Sequence, residues 1–504
     1  MDDEDGMDID EEDGDEEDDS VTARSKSSST SSRKHVMEDG VNGAPKKRRK
    51  RAPQPSDEDV AMTDIGSPPT PADEQRMTNG RSVGIQSVDF VEVSAADTVV
   101  IGMEDGGVEF CAWNPVDPGL LATGCERSVA HLWAIPEDVD PESCAPEGLS
   151  NHIMSHQPPL SGHKSAGITA LQWSADGSRL ATGSMDGQTR IWNTESVMEH
   201  NLSLHWGPVG LLRWNNSGDF LLALSCDGKM VVWDTASGNA QQSFEIPGEE
   251  IVRVEWISRT QFMSAGDNGR LHLFDVAHGS PLFTHAAHQG EVGSIAWDEE
   301  SKVLATGGND GVVKLWSDPK PGKATSPRAV ALEGHSGPVV DLDWRPVQKT
   351  EGSKITGPRI LASASHDRTI RLWDTVSSTV LRVLKFHVDP LETIRFSSDG
   401  NRIASGTNGN VIVWNTDSGA ITHIYDRSRG RRKNGTIPSP SATQIHELSW
   451  EKYGNRLAIA GGVHGCAIVA LKSLQNGTPS QLKSGPGSEV GGKGELSGVI
   501  LMEP

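Results

Sequence analysis

The stretch that decides the fold is residues 361–374, Leu-Ala-Ser-Ala-Ser-His-Asp-Arg-Thr-Ile-Arg-Leu-Trp-Asp. Its first five residues are small or apolar, as in a buried strand, and residues 366–368 form a turn signal. Residues 369–373 then alternate polar and apolar side chains, which is typical of a half-buried strand. Residues 180–192 repeat the plan as Leu-Ala-Thr-Gly-Ser-Met-Asp-Gly-Gln-Thr-Arg-Ile-Trp. The pattern predicts hairpins that recur along the chain.

The tryptophans set the period of this repeat. Thirteen of the 14 fall into two series, in which Phe396 and Phe274 each replace one member. Between Trp173 and Trp297 the first series advances by 41, 42 and 41 residues, and the second follows it by 18 to 20 residues in every unit but one. A period of about 40–45 residues is typical of the four-stranded blades of a β-propeller. The first series is Trp113, Trp173, Trp214, Trp256, Trp297, Trp344 and Trp450, and the second is Trp133, Trp192, Trp233, Trp316, Trp373 and Trp414.

The number of units and the closure of the ring follow from the same count. There are eight units, the last being the degenerate stretch 444–470. A propeller removes its open edge when a strand from one terminus completes the last blade. Residues 96–101 precede the first unit and are rich in β-branched side chains, which suits that role. We therefore predict an all-β, eight-bladed propeller over residues 86–472.

Two segments outside the repeats are predicted to be disordered tails, residues 1–85 and 473–504. Fourteen of the first 20 residues are Asp or Glu, and the C-terminal segment is rich in Gly and Ser. Such stretches bury too little apolar surface to offset the entropy of ordering. A basic run in the first tail predicts a nuclear localisation signal, with a solvated charge run as the alternative. The run is Lys46, Lys47, Arg48, Arg49, Lys50 and Arg51.

The charge balance favours basic partners. The net charge is −24, of which residues 1–85 contribute −10 and the remainder −14. An acidic surface argues against direct sequence-specific DNA binding, which needs clustered Lys and Arg. We therefore expect the partners to be basic peptides or histone tails rather than DNA. No apolar run approaches the ~20 residues of a membrane span, and the five widely spaced cysteines predict neither a disulfide framework nor a Cys-rich zinc site.

Sets of His, Ser or Thr, Asp and Trp invite a catalytic interpretation. In the sixth unit, Ser363 or Ser365 with His335 and Asp367 suggests a serine-hydrolase triad. Similar sets recur in other units, however, and an enzyme needs one site whereas a repeat needs one hydrogen-bond network per blade. We therefore expect no enzymatic activity, no cofactor and no metal. The predicted blade networks are His163, Asp186 and Trp192; His288, Asp310 and Trp316; and His335, Asp367 and Trp373.

Over residues 96–471 the chain resembles the WD-repeat β-propeller proteins. The Gly-His pairs at 162–163 and 334–335 and the Trp-Asp pairs at 233–234 and 373–374 carry the resemblance. The segment Phe110-Cys111-Ala112-Trp113-Asn114-Pro115 is similar to the first blade of the transducin-beta-like corepressor family. The long connections at 135–160 and 346–358 and the sequence of the eighth unit at 445–450 are also similar to that family.

This resemblance implies a nuclear scaffold in a transcriptional corepressor complex, with corepressor and histone deacetylase subunits as partners. Family members also carry an N-terminal LisH motif that mediates oligomerisation. Residues 1–85 show no amphipathic helical period that matches it, which puts tetramerisation in doubt. Two alternatives stay open: a substrate receptor of a ubiquitin ligase, and a histone chaperone whose acidic tail screens histone charge.

The candidate binding surface is the rim of the propeller. Trp206 is the one tryptophan outside both series, and it lies in the connection that enters the third blade. Exposed aromatic residues are enriched at binding hot spots; packing against a neighbouring loop is the alternative. By position in their blades, the other predicted rim residues are Met185, Cys226, Gln289, Glu291, Asn309 and His366.

A basic stretch follows the seventh unit. It comprises Arg427, Arg429, Arg431, Arg432 and Lys433, in an apparent insertion before the eighth unit. It is interpreted either as a contact for nucleic acid or an acidic peptide, or as a mobile loop.

Overall fold

The computed structural model describes residues 90–93, 97–102, 107–136, 149–156, 167–317, 329–347, 358–427, 444–461 and 465–471. The predicted nuclear localisation signal, His163, residues 429–433 and both predicted tails lie outside these ranges. The described residues form β-strands joined by turns, without an α-helix. Among them there is accordingly no helix of the length and apolarity that could cross a membrane.

The strands are numbered in chain order from β1 (Val91–Glu92) and β2 (Thr98–Ile101). The next 16 form four antiparallel sheets of four strands, the first four blades. They are β3 (Val108–Trp113), β4 (Leu120–Cys125), β5 (Val129–Ala134), β6 (Asn151–Ser155); β7 (Ile168–Trp173), β8 (Arg179–Ser184), β9 (Gln188–Asn193), β10 (Met198–Ser203); β11 (Val209–Trp214), β12 (Phe220–Ser225), β13 (Met230–Asp234), β14 (Ala240–Phe244); and β15 (Ile251–Trp256), β16 (Gln261–Gly266), β17 (Arg270–Asp275), β18 (Phe283–Ala286).

The remaining strands form the fifth and sixth blades in the same way, four strands of the seventh blade and three strands of the eighth. They are β19 (Val292–Asp298), β20 (Val303–Gly308), β21 (Val313–Ser317), β22 (Ala329–Leu332); β23 (Val339–Trp344), β24 (Ile360–Ser365), β25 (Thr369–Asp374), β26 (Thr379–Lys385); β27 (Thr393–Phe396), β28 (Arg402–Gly406), β29 (Asn410–Asn415), β30 (Ile421–Asp426); and β31 (Glu447–Trp450), β32 (Arg456–Ala460), β33 (Cys466–Ala470).

The ring closes as predicted, with eight blades. β2 pairs antiparallel with β33, Thr98 opposite Val469 and Ile101 opposite Cys466, and so supplies the fourth strand of the eighth blade. The first strands of successive blades contact one another around the whole ring, including β3 against β31. The first strands therefore form the innermost layer, and the last strand of each blade lies outermost.

Burial along a blade explains the repeated sequence pattern. In the sixth blade all six residues of β24 are buried, whereas Leu384 is the one buried residue of β26. Second strands are packed on both faces by neighbouring blades, so they need small or apolar side chains such as Ala362 and Ala364. Outer strands carry no such constraint.

The first-series tryptophans join neighbouring blades. In five of the seven, the indole nitrogen donates to a backbone oxygen of the preceding blade, and each acceptor is the residue before the aromatic residue of that blade's first strand. Trp173, Trp214, Trp256, Trp344 and Trp450 donate in this way to Ala112, Gln172, Arg213, Ala296 and Arg395, at 2.9–3.2 Å. Trp297 Nε1 instead donates to Glu299 Oε2 at 2.9 Å, and Trp113 Nε1 is buried without a hydrogen-bond partner. The fixed period of the series thus reflects one contact repeated from blade to blade.

Two features differ from the sequence prediction. The connection predicted over residues 135–160 contains β6, which pairs with β5 and completes the first blade. In β6 only Met154 is buried, so the strand lacks the apolar alternation that would have marked it. The seventh blade has a fifth strand, because β1 pairs in parallel with β30, Val91 opposite His423.

Candidate functional site

The predicted rim residues lie at one end of the strands. Met185, Cys226, Asn309 and His366 directly follow β8, β12, β20 and β24, and Trp206, Gln289 and Glu291 lie in connections that enter the third and fifth blades. Hydrogen bonds join the two groups of loops: the Trp206 amide donates to Asp227 Oδ2 at 3.2 Å, and the Gln289 amide to Asp310 Oδ2 at 3.0 Å. We call the surface formed by these seven residues the rim face.

Trp206 projects into solvent from a tethered loop. Its side chain is 95% exposed, so packing against a neighbouring loop, the alternative considered from sequence, is wrong. Besides the bond from Trp206 to Asp227, Ser225 Oγ donates to the Gly207 oxygen at 2.9 Å, and Lys229 Nζ to the Leu204 oxygen at 3.4 Å. An aromatic side chain on a fixed backbone loses little conformational entropy when it binds.

The other rim residues differ in exposure. Met185, Cys226, Gln289, Asn309 and His366 are exposed, and Glu291 is half-buried. The Glu291 backbone oxygen accepts from the Asn309 amide at 2.9 Å, which fixes the position of these two residues relative to each other.

Beneath the rim face, the structure brings together two of the predicted networks. In the fifth blade, His288 Nδ1 lies 3.0 Å from Asp310 Oδ1, and His288 Nε2 lies 2.7 Å from Thr306 Oγ1, which also accepts from Trp316 Nε1 at 2.9 Å.

The sixth blade repeats this arrangement. His335 Nδ1 lies 2.9 Å from Asp367 Oδ2, and His335 Nε2 lies 2.7 Å from Ser363 Oγ, which accepts from Trp373 Nε1 at 2.8 Å. Ser365 is instead bonded to the Gly337 oxygen and the Asp367 amide. The Ser363 hydroxyl thus lies between an imidazole and an indole, in a buried position that suits a structural bond.

The second blade uses a different histidine from the predicted one. His163 lies outside the described residues, and His156 Nε2 contacts Thr182 Oγ1 at 2.8 Å while Trp192 Nε1 donates to the same oxygen. Asp186 binds Arg190 at 3.0 Å rather than this histidine. Arg190 in turn lies 2.6 Å from His156 Nδ1, so an arginine bridges the two groups.

The network groups have shifted pKa values. Burial alone would raise the pKa of Asp367, but hydrogen bonds from Thr369, His335 and the Ser336 amide lower it to about 2. Burial lowers the pKa of His335, and the opposing effect of Asp367 is smaller. Near neutral pH the pair is therefore a neutral imidazole that donates to a carboxylate.

Four segments of the chain match the family model of the WD domain, G-beta repeat: residues 155–193, 279–317, 326–374 and 378–415. They contain the first three strands of the second, fifth, sixth and seventh blades, and the last three segments each begin with the outer strand of the preceding blade. The chain is a WD40 repeat protein.

Known proteins similar to this WD40 repeat protein come from plants, yeast and animals. WD40 repeat-containing protein HOS15 of Arabidopsis thaliana is 33% identical over 331 residues, which are 64% of this chain and 53% of HOS15. SIR4-interacting protein SIF2 of Saccharomyces cerevisiae is 26% identical over 388 residues, 71% of this chain and 69% of SIF2. F-box-like/WD repeat-containing protein TBL1X of Mus musculus is 29% identical over 313 residues, 62% of this chain and 57% of TBL1X.

The match thus spans little more than half the length of the plant and mouse relatives. In structure, the WD40 propeller is similar to the crystal structure of the C-terminal WD40 domain of Sif2, with a TM-score of 0.62 and 23% sequence identity. That likeness covers 76% of this chain and 100% of the Sif2 domain, and it supports the fold.

The third blade of this WD40 repeat protein lacks part of the network. Both ring nitrogens of His205 and Nε1 of Trp233 are buried without a hydrogen-bond partner. Ala223 stands ten residues before Trp233, where the second blade has Thr182 and the fifth has Thr306. Burial lowers the pKa of His205 to about 4, against the opposing effect of Asp227. Sequence reasoning missed this difference, although the alanine at a Thr/Ser position is its signal.

Charged side chains on the innermost strands were also missed. Arg395 Nη1 lies 2.6 Å from Asp341 Oδ2, and Arg213 Nε lies 3.2 Å from Glu255 Oε2. Burial raises the pKa of Asp343 to about 6, although Arg395 and the Phe396 amide oppose the rise. These groups pair across neighbouring blades, which is a structural role.

The basic stretch before the eighth blade needs one correction. Arg427 is 7% exposed and its Nη2 donates to the Gly465 oxygen at 2.7 Å, so it belongs to the propeller and does not present its charge to a ligand. Residues 429–433 lie outside the described ranges. Within the described ranges, no group of three or more His, Cys, Asp or Glu side chains could hold a metal ion.

Proposed function

We propose that this WD40 repeat protein is a non-enzymatic nuclear scaffold that binds a basic peptide, such as a histone tail, on the rim face. The observation that carries the proposal is the side chain of Trp206, 95% exposed on a loop that three hydrogen bonds tie to the third blade. A large aromatic residue held in solvent is an anchor for binding rather than a contributor to the core.

Charge supports a cationic ligand. Residues 86–504 carry a net charge of −14, and a negative field raises the association rate of positively charged peptides. Glu291 adds a carboxylate to the rim face, in the connection that enters the fifth blade.

The relatives support a role in transcriptional regulation. The resemblance to the transducin-beta-like corepressor family and the 29% identity to TBL1X point to a corepressor complex that contains histone deacetylase subunits. The name of the yeast relative states an interaction with SIR4, which is a protein–protein interaction. Nuclear localisation agrees with the basic run at 46–51.

One alternative has an observation in its favour. The name of TBL1X includes "F-box-like", which favours a substrate receptor of a ubiquitin ligase as the second candidate function. On that interpretation the rim face would present a substrate rather than hold a corepressor subunit.

Affinity purification from nuclear extract tests these proposals. Tagged wild-type chain, Trp206→Ala and a matched control, Val376→Ala, are compared by mass spectrometry; Val376 is exposed in the turn between β25 and β26. Corepressor and deacetylase subunits that Trp206→Ala loses and the control keeps would support the scaffold. Cullin subunits would favour the ligase receptor, histones alone a chaperone, and recovery unaffected by Trp206→Ala would contradict the rim-face site.

A further inference from the structure

The outermost strand of the sixth blade, β26, presents apolar side chains to solvent. Six of its seven residues are exposed, and Leu384 alone is buried. Val380 is 37%, Leu381 44% and Val383 37% exposed. β26 is also the longest outer strand in the part of the chain that the structure describes. An exposed edge strand with apolar side chains is a template for pairing with another strand.

The seventh blade shows how such an edge is completed within this molecule. β1 adds to its outer strand β30 in parallel, with Val91 opposite His423 and Glu92 opposite Ile424. The Val93 amide donates to the Ile424 oxygen at 2.9 Å. Because the N–H and C=O of one residue in a strand point to the same side, both groups of Ile424 lie on the outer edge. The segment that pairs there is Val-Glu-Val, a carboxylate between two apolar residues.

β26 repeats the backbone geometry of β30. In both blades the register between the third and the outer strand shifts directly before the second-series tryptophan. Counted from this shift, Arg382 corresponds to His423 and Val383 corresponds to Ile424, the two positions at which β1 pairs. The N–H and C=O of Val383 are therefore placed to bond a parallel strand as Ile424 does.

The charge of β26 selects the kind of strand that pairs with it. Residues 375–388 contain Arg382 and Lys385 and no Asp or Glu, although residues 86–504 carry a net charge of −14. Arg382 and Lys385 are both exposed. Opposite charges on adjacent strands are stabilising and like charges are destabilising. The strand that is complementary to β26 therefore carries Glu or Asp between apolar residues.

A second copy of this chain fits the same edge poorly. Antiparallel pairing of two β26 strands about their midpoint would place the two Arg382 side chains opposite one another, which is destabilising. Basic side chains on an edge strand are a common protection against edge-to-edge association. A net charge of −24 on each chain adds long-range repulsion.

We propose that the outer edge of β26 binds an extended acidic and apolar segment of a partner protein, which becomes a parallel fifth strand of the sixth blade. The backbone of Val383 supplies hydrogen bonds, as in other cases of strand addition. Val380 and Val383 contact apolar side chains of the segment, and Arg382 and Lys385 bind its carboxylates. This edge is separate from the rim face, so the inference does not depend on the proposed function.

The test is a fluorescence-anisotropy titration of the full chain with the labelled peptide Thr-Glu-Val-Glu-Val-Glu-Val-Glu-Thr, at a salt concentration of ~0.15 M, which screens the overall charge beyond about 8 Å. Val383→Pro removes the outer N–H, at a kind of position where edge strands accept proline, and Arg382→Glu reverses a charge. Ser243→Pro is the matched control at the corresponding position of β14, the outer strand of the third blade. Arg259→Glu is the control for charge, at another exposed arginine.

We expect Val383→Pro and Arg382→Glu each to raise Kd about fivefold or more, and each control to leave Kd within about twofold. Methylation of two successive central amide nitrogens of the peptide should abolish binding, because it keeps the side chains and removes backbone donors. Hydrogen exchange of residues 379–385 should slow when the unmodified peptide binds. Trp206→Ala should bind this peptide as the wild type does.

Several outcomes would overturn the proposal. They are failure of the wild-type chain to bind, an unchanged Kd for Val383→Pro, and equal weakening by Ser243→Pro, which would show that pairing is not specific to β26. An unchanged Kd for Arg382→Glu would overturn the acidic character of the partner. A wild-type dimer in sedimentation equilibrium that Val383→Pro loses would assign the edge to a second copy. Thermal melting shows whether each variant is folded, and Arg382→Glu keeps the backbone donors if Val383→Pro unfolds.

Discussion

Trp233 and Ala223 lie on adjacent strands of the third blade without the hydrogen bond that five other blades form at the same position. In those blades the second-series tryptophan donates from Nε1 to a hydroxyl at 2.8–2.9 Å, the acceptors being Thr123, Thr182, Thr306, Ser363 and Ser405. The fourth blade has the converse, a buried Ser264 hydroxyl without a partner, where Phe274 replaces the tryptophan. Neighbouring blades thus each lack one half of the same pair.

Restoring the acceptor should stabilise the third blade. Ala223→Ser is expected to raise the free energy of unfolding by about 1 kcal/mol, because a hydroxyl there can accept from Trp233 and bond to His205, and buried unpaired donors cost about 1–3 kcal/mol. Urea denaturation followed by circular dichroism measures the change. As a control, Ala305→Ser puts a hydroxyl at another fully buried alanine and should destabilise. A loss of stability in Ala223→Ser would contradict the assignment.

Removing Asp367 should cost stability and not peptide affinity. The Asp367 carboxylate accepts from His335, from Thr369 and from the Ser336 amide. Asp367→Ala leaves these donors without an acceptor, at an expected cost of about 1–3 kcal/mol. Asp417→Ala, which removes an exposed ion pair with Arg345, is the control and should cost less than about 1 kcal/mol. Lost peptide binding at unchanged melting temperature would show that the network is functional.

Stability should fall as the pH drops below about 6.5. Burial lowers the pKa of His387 to about 4 and that of His156 to about 3, the latter with a further contribution from Arg190. The pKa of a histidine in the unfolded chain is about 6.5. Between these values the unfolded chain binds more protons than the folded one, so the stabilisation is fully present above pH ~6.5 and is lost as the pH falls towards the folded pKa.

His387→Gln tests this linkage. We expect the variant to reduce the slope of unfolding free energy against pH, between pH 6 and 5, by up to about 1.4 kcal/mol per pH unit, the limit for one proton. Thermal and urea unfolding across that range measure the slope. His152→Gln alters an exposed histidine and serves as the control. Equal slopes in wild type and His387→Gln would be inconsistent with a neutral, half-buried imidazole.

The repeat in the sequence was sufficient to predict the ring. Five of the seven tryptophans of the first series donate to the preceding blade, so the 41- and 42-residue steps between them correspond to blades. His156 was not predictable in the same way. The Gly-His pair at 162–163 resembles the pair at 334–335, but which imidazole reaches Thr182 depends on the path of the connection from β6 to β7, which is a tertiary property.

The fifth strand of the seventh blade was beyond the reach of sequence patterns. β1 has two residues, which is too short to show alternation. Its partner β30 is distant in sequence, and parallel pairing leaves no turn between the strands.

The basic run should direct nuclear import. Replacing Lys46, Lys47, Arg48, Arg49, Lys50 and Arg51 with alanine removes the clustered charge that an import receptor recognises, so a fluorescent fusion is expected to become mainly cytoplasmic. Alanine at the scattered residues Arg24, Lys26, Arg33 and Lys34 is the control. Unchanged nuclear signal in the first variant, in cells depleted of co-purifying partners, would contradict the prediction.

Trp206 and Glu291 should affect different stages of peptide binding. Trp206→Ala removes an exposed anchor and is expected to weaken binding by at least about 1 kcal/mol, mainly through faster dissociation. Glu291→Lys reverses one charge of the rim face, so it should slow association and flatten the dependence of the association rate on salt. Stopped-flow binding of an arginine- and lysine-rich peptide at two salt concentrations resolves the two rates.

The controls distinguish an anchor from general surface effects. Val376→Ala removes exposed apolar surface and Glu195→Lys reverses an exposed charge, and both lie in turns at the opposite ends of the strands from the rim face. If Glu195→Lys slows association as much as Glu291→Lys does, the peptide is attracted by the net negative charge of the whole protein. Long-range attraction would then depend on net charge rather than on one carboxylate. Binding that is indifferent to salt and to Trp206 would leave the rim face without a role in recognition.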